Sequence, residues 1–596
     1  MDPEKYYTER LSHFSAKIHS TRKRLKMLAF LRMAVFLVTV IMVVIATRWG
    51  MTSVIISAIT GLSIFIVILI RYLNIQRQLR KDENLADINE NEMKALRGKY
   101  PMFPDGSEFN DPDHPYLADL DIFGPQSLFQ YINRSASNIG KHRLAEFLSN
   151  PLKDTGIIIK RQEAVNELAV RPDFRQDFQA TGYMASEQPA DKQALLDWVS
   201  EPAQFNRKKF LFLLVFIPVL TFTVLTLAFT SVISPSWALL YITVPFGITG
   251  RYLKTINRKY GMLTGKAELM KKYSGLFATI EQEKFNSHEM ASQKQRLNSG
   301  NHLPSEATKH LSAILDAFDV RNNILAGFLL NFLFLWDLIQ VLRTEKWQSR
   351  YRDELPKWLD VLADTDALCS LANFHFNHPG SIFPEVTNDE YLVNAKGLGH
   401  PLISAAKRIN NPARLLCRRH FTIVSGANMA GKSTYLRTVG ITMVLAMAGS
   451  AVIAEEMTFQ PAGLVTSIRT RDSLQKNESY FYAELKKLKY IIERLQKGER
   501  LVILLDEILK GTNSKDKQGG SIALLEKLLR FDATGLIATH DLALGEMEQT
   551  HPGNITNKCF EVIIENDTLV FDYKLKDGIA RQMNATFLMK KMGITD

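Results

Sequence analysis

Residues 421–434, which read FTIVSGANMAGKST, decide the fold of the C-terminal part of this 596-residue chain. The stretch begins with β-branched and aromatic residues, turns through glycines and small residues, and continues into helix-forming residues. A strand, a glycine-rich loop and a helix in this order form a phosphate-binding loop, because glycine lets backbone N–H groups approach an anion at a helix N-terminus. The stretch therefore predicts a site for ATP.

The spacing inside this loop predicts a role for several side chains. Gly426 and Gly431 let the backbone approach the phosphates, and Lys432 reaches the β- and γ-phosphate oxygens. Ser433 offers its hydroxyl to Mg²⁺. Short glycine-rich loops also match this spacing by chance, so the prediction depends on a second half of the site elsewhere in the chain.

Two later apolar runs supply that second half. Residues 501–505 are aliphatic and end at Asp506 and Glu507. An Asp at such a strand end holds the Mg²⁺ shell, and a following Glu orients and deprotonates the attacking water. A further run, 535–538, ends before His540, which either senses the γ-phosphate or is a structural hydrogen-bonding residue.

Length and composition predict several domains and a reducing compartment. A chain of 596 residues has room for about three to four domains. Its three cysteines, Cys369, Cys417 and Cys559, are isolated, so the sequence supports neither a disulfide framework nor a zinc site.

Two regions of the chain are apolar over lengths that cross a bilayer. Residues 28–72 contain two such runs around Arg48, and residues 210–250 are uncharged and divided by Ser234, Pro235 and Ser236. Basic residues flank both regions, which predicts two transmembrane hairpins, four crossings in all, with both ends in the cytoplasm. Buried core helices are the alternative. Residues 1–27 are predicted to be a basic cytoplasmic N-terminus.

The positive charge of the chain is concentrated beside these apolar regions. Residues 1–27, 207–209 and 251–272 together carry +13, against +11 for the whole chain, which leaves the rest at about −2. The excess therefore indicates membrane topology before it indicates nucleic-acid binding, although a local DNA-binding patch stays open.

The remaining segments predict a linker and a helical domain. Residues 73–114 are polar and end in a Pro- and Gly-rich stretch, which predicts a linker. Residues 115–205 and 251–395 are rich in helix formers at three- and four-residue apolar spacing, which predicts a helical domain interrupted by the second hairpin. Residues 324–342 are apolar, but Asn331 and Asp337 interrupt them, so we predict a buried soluble helix rather than a fifth crossing.

The helical segment around residues 127–168 resembles the opening of the core domain of the MutS mismatch-repair ATPases. The matching positions are Gly140, Arg143, Leu144, Pro151, Leu152, Arg161, Val165 and Leu168. Residues 399–402, Gly-His-Pro-Leu, are similar to the Gly-Arg-His-Pro element that precedes the ATPase domain of that family.

The C-terminal motifs are similar to the MutS ATPase motifs in the same order: GANMAGKSTYLRT, NESYFYAEL, LLDEILKGTNS and ATHDL. The resemblance implies that Ser479 is a signature residue presented to the ATP of a dimer partner, that Glu507 is the catalytic base and that His540 is a switch histidine. Asn428 would line the nucleotide pocket. The residues expected to bind ATP are Gly426, Ala427, Asn428, Met429, Ala430, Gly431, Lys432, Ser433, Thr434 and Ser479; those expected to act in catalysis are Lys432, Glu507 and His540; Ser433 and Asp506 are expected to bind Mg²⁺.

The chain also departs from the family pattern. Asn477 and Glu478 precede Ser479, where the family has Gly and Arg, and Leu509 and Lys510 replace the usual Gly and Arg after the acidic pair. Nothing before Pro115 resembles a mismatch-reading domain, since membrane segments are predicted there instead. These departures concern the hydrolysis rate and the coupling to a partner.

These predictions combine into one architecture. We expect four transmembrane helices, an all-α domain like the MutS core, and an α/β ATPase domain of the ABC-like P-loop kind at 396–596. The resemblance implies an ATP- and Mg²⁺-dependent homodimer that binds mismatched or branched DNA in repair. The alternative is a membrane ATPase that remodels a protein or membrane partner without DNA. We expect a multi-pass protein of the bacterial inner membrane with its ATPase domain in the cytoplasm.

Overall fold

The computed structural model describes residues 2–205, 208–298, 302–468, 480–510, 513–565 and 568–580. Its α-helices are α1 (Pro3–Ala46), α2 (Met51–Leu96), α3 (Leu128–Ile132), α4 (Asn138–Ser149), α5 (Thr155–Ala169), α6 (Pro172–Gly182), α7 (Asp191–Ser200), α8 (Lys208–Phe229), α9 (Pro235–Tyr241), α10 (Thr243–Leu263), α11 (Ala267–Gln282), α12 (His288–Leu297), α13 (Pro304–Asp319), α14 (Ile324–Phe334), α15 (Trp336–Tyr351), α16 (Leu355–Asn377), α17 (Lys432–Met447), α18 (Tyr480–Gln496), α19 (Ser514–Arg530) and α20 (Leu542–Thr550). Its strands are β1 (Glu385–Val386), β2 (Tyr391–Leu398), β3 (Asn411–Leu416), β4 (His420–Gly426), β5 (Glu456–Phe459), β6 (Gly463–Ser467), β7 (Leu501–Asp506), β8 (Thr534–Thr539), β9 (Ile555–Glu565) and β10 (Thr568–Asp577).

Helices α1 and α2 form a long antiparallel hairpin. Gly50, with φ of 92°, makes the turn, and Gly61 packs so closely on Thr39 that a Cβ there would lie 2.1 Å from a Thr39 side-chain atom. The half of the hairpin nearer the turn is apolar and exposed, while the start of α1 and the end of α2 pack on the helical domain. Near the N-terminus, the buried Tyr7 donates a hydrogen bond to Asn377 Oδ1 at 2.7 Å.

The prediction of a linker over 73–114 is wrong for its first half, because α2 continues to Leu96. The polar residues that indicated a linker are buried and paired there. Asp82 accepts from Lys17 at 2.9 Å, Asn89 bonds Gln176, and Glu92 forms an ion pair with Arg134. Buried polar side chains are stable when tertiary partners satisfy them, and sequence pattern does not show those partners.

Three helices among the described residues are long and apolar enough to cross a membrane: α1, α2 and the Phe210–Phe229 part of α8. The fourth predicted crossing does not meet that test. Its residues fall into the short α9 and the start of α10, which becomes charged from Arg251 onwards. The second hairpin of 210–250 is therefore one long apolar helix followed by a broken segment.

The prediction of a single buried helix over 324–342 is also wrong. Helices α14 and α15 meet at an angle of 80°, and Leu335 between them has a left-handed φ of 52°. The start of helix α14 is exposed, with Ile324 at 86%, whereas α15 is mostly buried. Asn331 stabilises the bend, because its side-chain oxygen accepts from the backbone N–H of Asp337 at 3.0 Å. Together the two helices are long and apolar enough to form one broken span.

The predicted helical domain is present, with α16 at its centre. This helix packs on α4, α5 and α12, and most of its residues are buried. Asp366 of α16 accepts hydrogen bonds from the backbone N–H of Ala136 and of Ser137 at the start of α4. A Cβ on Gly140 would lie 2.0 Å from Asp366 Oδ2, so the two helices are in contact through this glycine.

The predicted C-terminal α/β domain is also present. Its six-stranded sheet has the order β10-β9-β4-β8-β7-β6, parallel except for the β9–β10 pair. Helix α17 covers one face, and α18, α19 and α20 cover the other. A second sheet, β1-β5-β2-β3, includes β2, so the domain begins near Glu385 rather than at 396.

Candidate active site

The phosphate-binding loop lies between β4, which is fully buried, and the start of α17. Gly426 has φ of 148°, and a Cβ there would lie 2.7 Å from the carbonyl oxygen of Phe560. Gly431 has φ of 107° and precedes α17, and no side chain of the described residues caps this helix end. The first backbone N–H groups of α17 are therefore directed at the loop, where an anion would be favoured.

Lys432 is folded over the loop. Its ammonium donates to the carbonyl oxygens of Gly426 at 2.8 Å and Ala427 at 3.0 Å. Burial lowers the pKa of Lys432, while Asp506 and Glu507 oppose that shift. The sheet edge thus holds a buried cation beside two carboxylates.

Ser433 and Asp506 lie together at this edge. Asp506 ends β7, and Ser433 Oγ, one residue into α17, donates to Asp506 Oδ2. A hydroxyl and a carboxylate are oxygen ligands of the kind that Mg²⁺ prefers when phosphates supply others. Among the described residues, no group of three or more His, Cys, Asp or Glu side chains could hold a metal ion by itself. The pair therefore fits Mg²⁺ bound with a nucleotide.

Glu507 follows directly in an unusual backbone conformation. Its φ is 54°, and its N–H donates to the carbonyl of Ala538 on the neighbouring strand at 2.8 Å. Its carboxylate lies 3.0 Å from His540 Nε2 and 3.6 Å from Lys510 Nζ. The hydrogen bond with His540 is the main reason that the pKa of Glu507 falls to about 2, so this side chain is ionised at neutral pH.

His540 lies after β8 and connects both halves of the site. Its Nε2 is 2.7 Å from Asn428 Oδ1, besides its contact with Glu507. Nε2 carries a hydrogen and donates it to these two oxygens, because an amide oxygen and a carboxylate oxygen can only accept. Nε2 also lies 3.1 Å from Lys432 Nζ. His540 is thus in contact with Asn428, Lys432 and Glu507.

A cavity of about 380 Å³ opens beside these residues. The loop of 426–434 forms one wall, with Ala427, Asn428, Met429, Ala430 and Thr434 among its lining residues. The Gly-His-Pro-Leu element and the residues after it form another, and Tyr573 of β10 completes the lining. The predicted signature residue Ser479 lies outside the described residues.

Sequence reasoning missed the residues that face the loop across this cavity. Ile403, Ile409 and Tyr573 supply apolar and aromatic surface, and Lys407 and Arg408 supply charge. Asn411 fixes Tyr573 in place, because its side chain donates to the carbonyl of Tyr573 at 2.9 Å and accepts from the N–H of Leu575 at 2.8 Å. The signal available in the sequence was the His400-Pro401 element, which begins this wall.

A second missed residue is Glu484 of α18. Its side chain is buried, with the residue only 3% exposed, and its carboxylate accepts from the backbone N–H of Leu509 at 2.6 Å and of Lys510 at 3.2 Å. Leu509, like Glu507, has a positive φ, at 57°. Glu484 therefore holds the strained turn that carries Glu507. Its sequence signal was its place in the NESYFYAEL motif.

Comparison with known proteins identifies two family domains in the chain. Residues 117–372 match MutS domain III, and residues 422–593 match MutS domain V. The chain belongs to the MutS family. MutS domain V is an ATPase domain. The exposed helix α8 lies within the domain III match.

Curated relatives are similar to parts of this chain. Human MutS protein homolog 4 is 33% identical over 236 residues, 38% of this chain and 24% of that protein. The DNA mismatch repair protein MutS of Thermotoga maritima is 29% identical over 42% of this chain and 31% of its own length. The MutS of Persephonella marina is 26% identical over 81% of this chain and 59% of its own length. This MutS-family chain thus spans less than two thirds of the length of these relatives.

Proposed function

We propose that this MutS-family protein hydrolyses ATP at the edge of its six-stranded sheet, with Glu507 as the base and Lys432 on the β- and γ-phosphates. The observation that carries the proposal is that Lys432, Ser433, Asp506, Glu507 and His540, from three strand ends, meet beside one cavity. In this proposal Asn428 contacts the nucleotide, and His540 senses the γ-phosphate.

The chemistry follows from the charges at this edge. Phosphoryl transfer to water needs positioning and charge neutralisation more than covalent participation by the protein. Lys432 and the N-terminus of α17 neutralise phosphate charge, and an ionised Glu507 accepts hydrogen from the attacking water. Mg²⁺, held by Ser433 and Asp506, would neutralise the charge that develops on the β- and γ-phosphates.

We propose further that the active unit is a homodimer with composite sites. The resemblance assigns Ser479 to the ATP of the partner, and Glu484 connects the helix that follows Ser479 to the turn that carries Glu507. Engagement of a partner's nucleotide would then be transmitted to the chain's own catalytic turn. Dimerisation on ATP would also move the helical domain, which is packed on the ATPase domain through contacts such as Lys487 with Asp119 at 2.6 Å.

The test uses the full chain in detergent with Mg-ATP. Lys432→Ala should abolish hydrolysis, because the loop loses its phosphate-directed cation. Glu507→Gln should abolish hydrolysis but keep ATP bound, so that dimer accumulates in sedimentation velocity. Adding Ser479→Arg to Glu507→Gln should remove that dimer, since the defect is at the interface. Ordinary turnover by Lys432→Ala would end the site proposal, and an ATP-independent monomer throughout would end the composite site.

We propose that the movement of the helical domain acts on mismatched or branched DNA. Two of the relatives are named DNA mismatch repair proteins, and one of them matches 81% of this chain. DNA binding would depend steeply on salt, because phosphate contacts release counterions. Titration of the purified chain with duplex and four-way branched DNA at several salt concentrations tests this, and the absence of salt-dependent binding would contradict it.

The second candidate is an ATPase that is anchored in a membrane and remodels a protein or lipid partner. It is favoured by the exposed apolar surfaces of α1, α2 and α8, which suit a bilayer, and by the near-neutral charge outside their flanks. We propose the bacterial inner membrane, with the ATPase domain in the cytoplasm. Sedimentation of the chain with membranes, resistant to carbonate and high salt, separates integral anchoring from surface adsorption.

A further inference from the structure

A second cavity, of about 830 Å³, lies beside the candidate active site. Its walls are the end of α2 with the turn after it (95–101), the region that begins α3 (126–131), and the loop 401–408. Ile403, Lys407 and Arg408 line both cavities. Lys99, Tyr100 and Tyr131 line the second cavity and are absent from the lining of the first.

The charge on the lining of this second cavity is of one sign. Its lining includes Arg97, Lys99, Lys407 and Arg408 and no Asp or Glu. Arg97 pairs with Glu4 at 2.9 Å, whereas the other three have no carboxylate partner among the residues that the structure describes. Arg408 instead donates to Asn410 Oδ1 at 3.2 Å, and burial lowers its pKa. Three uncompensated cations around one cavity favour an anionic ligand.

Aromatic side chains form another part of the lining. The rings of Tyr100 and Tyr131 meet edge to face with centroids 5.0 Å apart. Tyr131 is fixed by His378, whose Nδ1 lies 2.8 Å from the carbonyl of Phe374 and whose Nε2 lies 3.0 Å from the Tyr131 hydroxyl. Nδ1 therefore carries the hydrogen, and Nε2 accepts from Tyr131. Burial lowers the pKa of His378 to about 4, so this wall is neutral at pH 7.

We propose that this cavity is a second nucleotide site, in which a nucleoside phosphate places its phosphates against Lys99, Lys407 and Arg408 and its base against Tyr100. Three cations suit the negative charge of phosphate oxygens, and an aromatic face accepts any base by stacking. The volume is within the usual range of small-molecule sites, roughly 300–1,000 Å³. The site goes beyond the proposed ATPase, since none of Lys432, Ser433, Asp506 and Glu507 lines it.

The position of the cavity gives the second nucleotide a regulatory role. The loop 401–408 is a wall of both cavities, and the end of α2 is a wall of the second alone. A ligand held between them would fix the loop that faces the ATP site and connect it to the N-terminal hairpin. Binding at the two sites is then coupled, and the coupling is reciprocal in free energy.

The test is equilibrium dialysis of the full chain in detergent with radiolabelled ATP and, separately, GTP. The wild-type chain should bind two nucleotides with at least one of these probes, and Lys432→Ala, which disables the first site, should bind one. Adding Lys99→Gln and Tyr100→Ala to Lys432→Ala should weaken the remaining binding by roughly tenfold or more, as expected for a lost charge-assisted contact. Lys94→Gln in the same background is the matched control, because it removes a cation of α2 outside the cavity.

Two results would overturn the second site. One is a single nucleotide per wild-type chain and none for Lys432→Ala with both probes. The other is residual binding in Lys432→Ala that Lys99→Gln with Tyr100→Ala leaves unchanged, since the nucleotide would then lie elsewhere. Equal unfolding temperatures of the variants exclude misfolding as the cause. Failure of the proposed ATPase is a separate observation, namely hydrolysis that survives Lys432→Ala.

Discussion

At the scale of single residues, Glu484 provides a test of how the catalytic turn is held. Glu484→Ala leaves the N–H groups of Leu509 and Lys510 without their buried acceptor, so the turn that carries Glu507 should relax. We expect kcat to fall roughly ten- to hundredfold with little change in KM, which corresponds to about 1–3 kcal/mol. Glu484→Gln, which keeps one acceptor oxygen, should retain an intermediate rate in the same steady-state ATPase assay.

The control for Glu484 is on the same helix. Glu493→Ala removes an exposed carboxylate of α18 that lies 3.7 Å from Lys489 and makes no contact with the catalytic turn. This substitution should leave kcat and KM unchanged. A KM increase without loss of kcat in Glu484→Ala would show that this residue acts on nucleotide binding and not on the position of Glu507.

A second residue-scale prediction concerns pH. The bond from His540 is the main cause that holds the pKa of Glu507 at about 2, below its ordinary 4.5. In the wild-type chain Glu507 should therefore stay ionised throughout pH 4–8. In His540→Ala its pKa should rise towards 4.5, so activity should fall as the pH drops below about 5. The measurement is kcat against pH, each variant normalised to its own maximum; superimposable profiles would contradict the assigned bond.

At the scale of helices and strands, the contact of α4 with α16 depends on one glycine. Gly140→Ala would place a methyl group 2.0 Å from Asp366 Oδ2, and Asp366 is fixed by hydrogen bonds from Ala136 and Ser137. We expect a loss of roughly 1–3 kcal/mol in the free energy of unfolding, because this buried site cannot expand without moving a helix. Thermal unfolding of the purified chain measures it.

Gly519→Ala is the matched control for that substitution. Gly519 is also helical, in α19, but nothing lies within 4 Å of the Cβ it would gain. Alanine there should be neutral or stabilising by about 0.5–1 kcal/mol, since it lowers the entropy of the unfolded chain. Equal unfolding temperatures for both variants would show that the α4–α16 contact tolerates a methyl group.

At the scale of the whole molecule, the membrane proposal predicts a definite topology. An epitope inserted in the turn of 47–52 should be protected in inside-out inner-membrane vesicles, whereas one placed at the C-terminus should be accessible to protease. The reason is that α1 and α2 are each long enough to cross and are joined by a short turn around Gly50. Cleavage of both epitopes in the same vesicles would exclude the hairpin as a membrane-spanning unit.

The sequence by itself determined the features that depend on neighbouring residues. The phosphate-binding loop, the strand ends at Asp506 and His540, and the helical and α/β domains were predictable, because glycine spacing and apolar periodicity act within a few residues. Parallel strands then bring those strand ends to one edge, as found for Lys432, Asp506 and His540.

Only the tertiary structure decided which polar residues are buried and which cavities form. Residues 73–96 looked like a linker because Asn89 and Glu92 are polar, but partners far along the chain satisfy them. The bend at Leu335, the support of the catalytic turn by Glu484 and the cavity between α2 and loop 401–408 likewise depend on contacts between distant segments. Periodicity and local spacing carry no information about such contacts, since the free energy of a buried polar group depends on its partner.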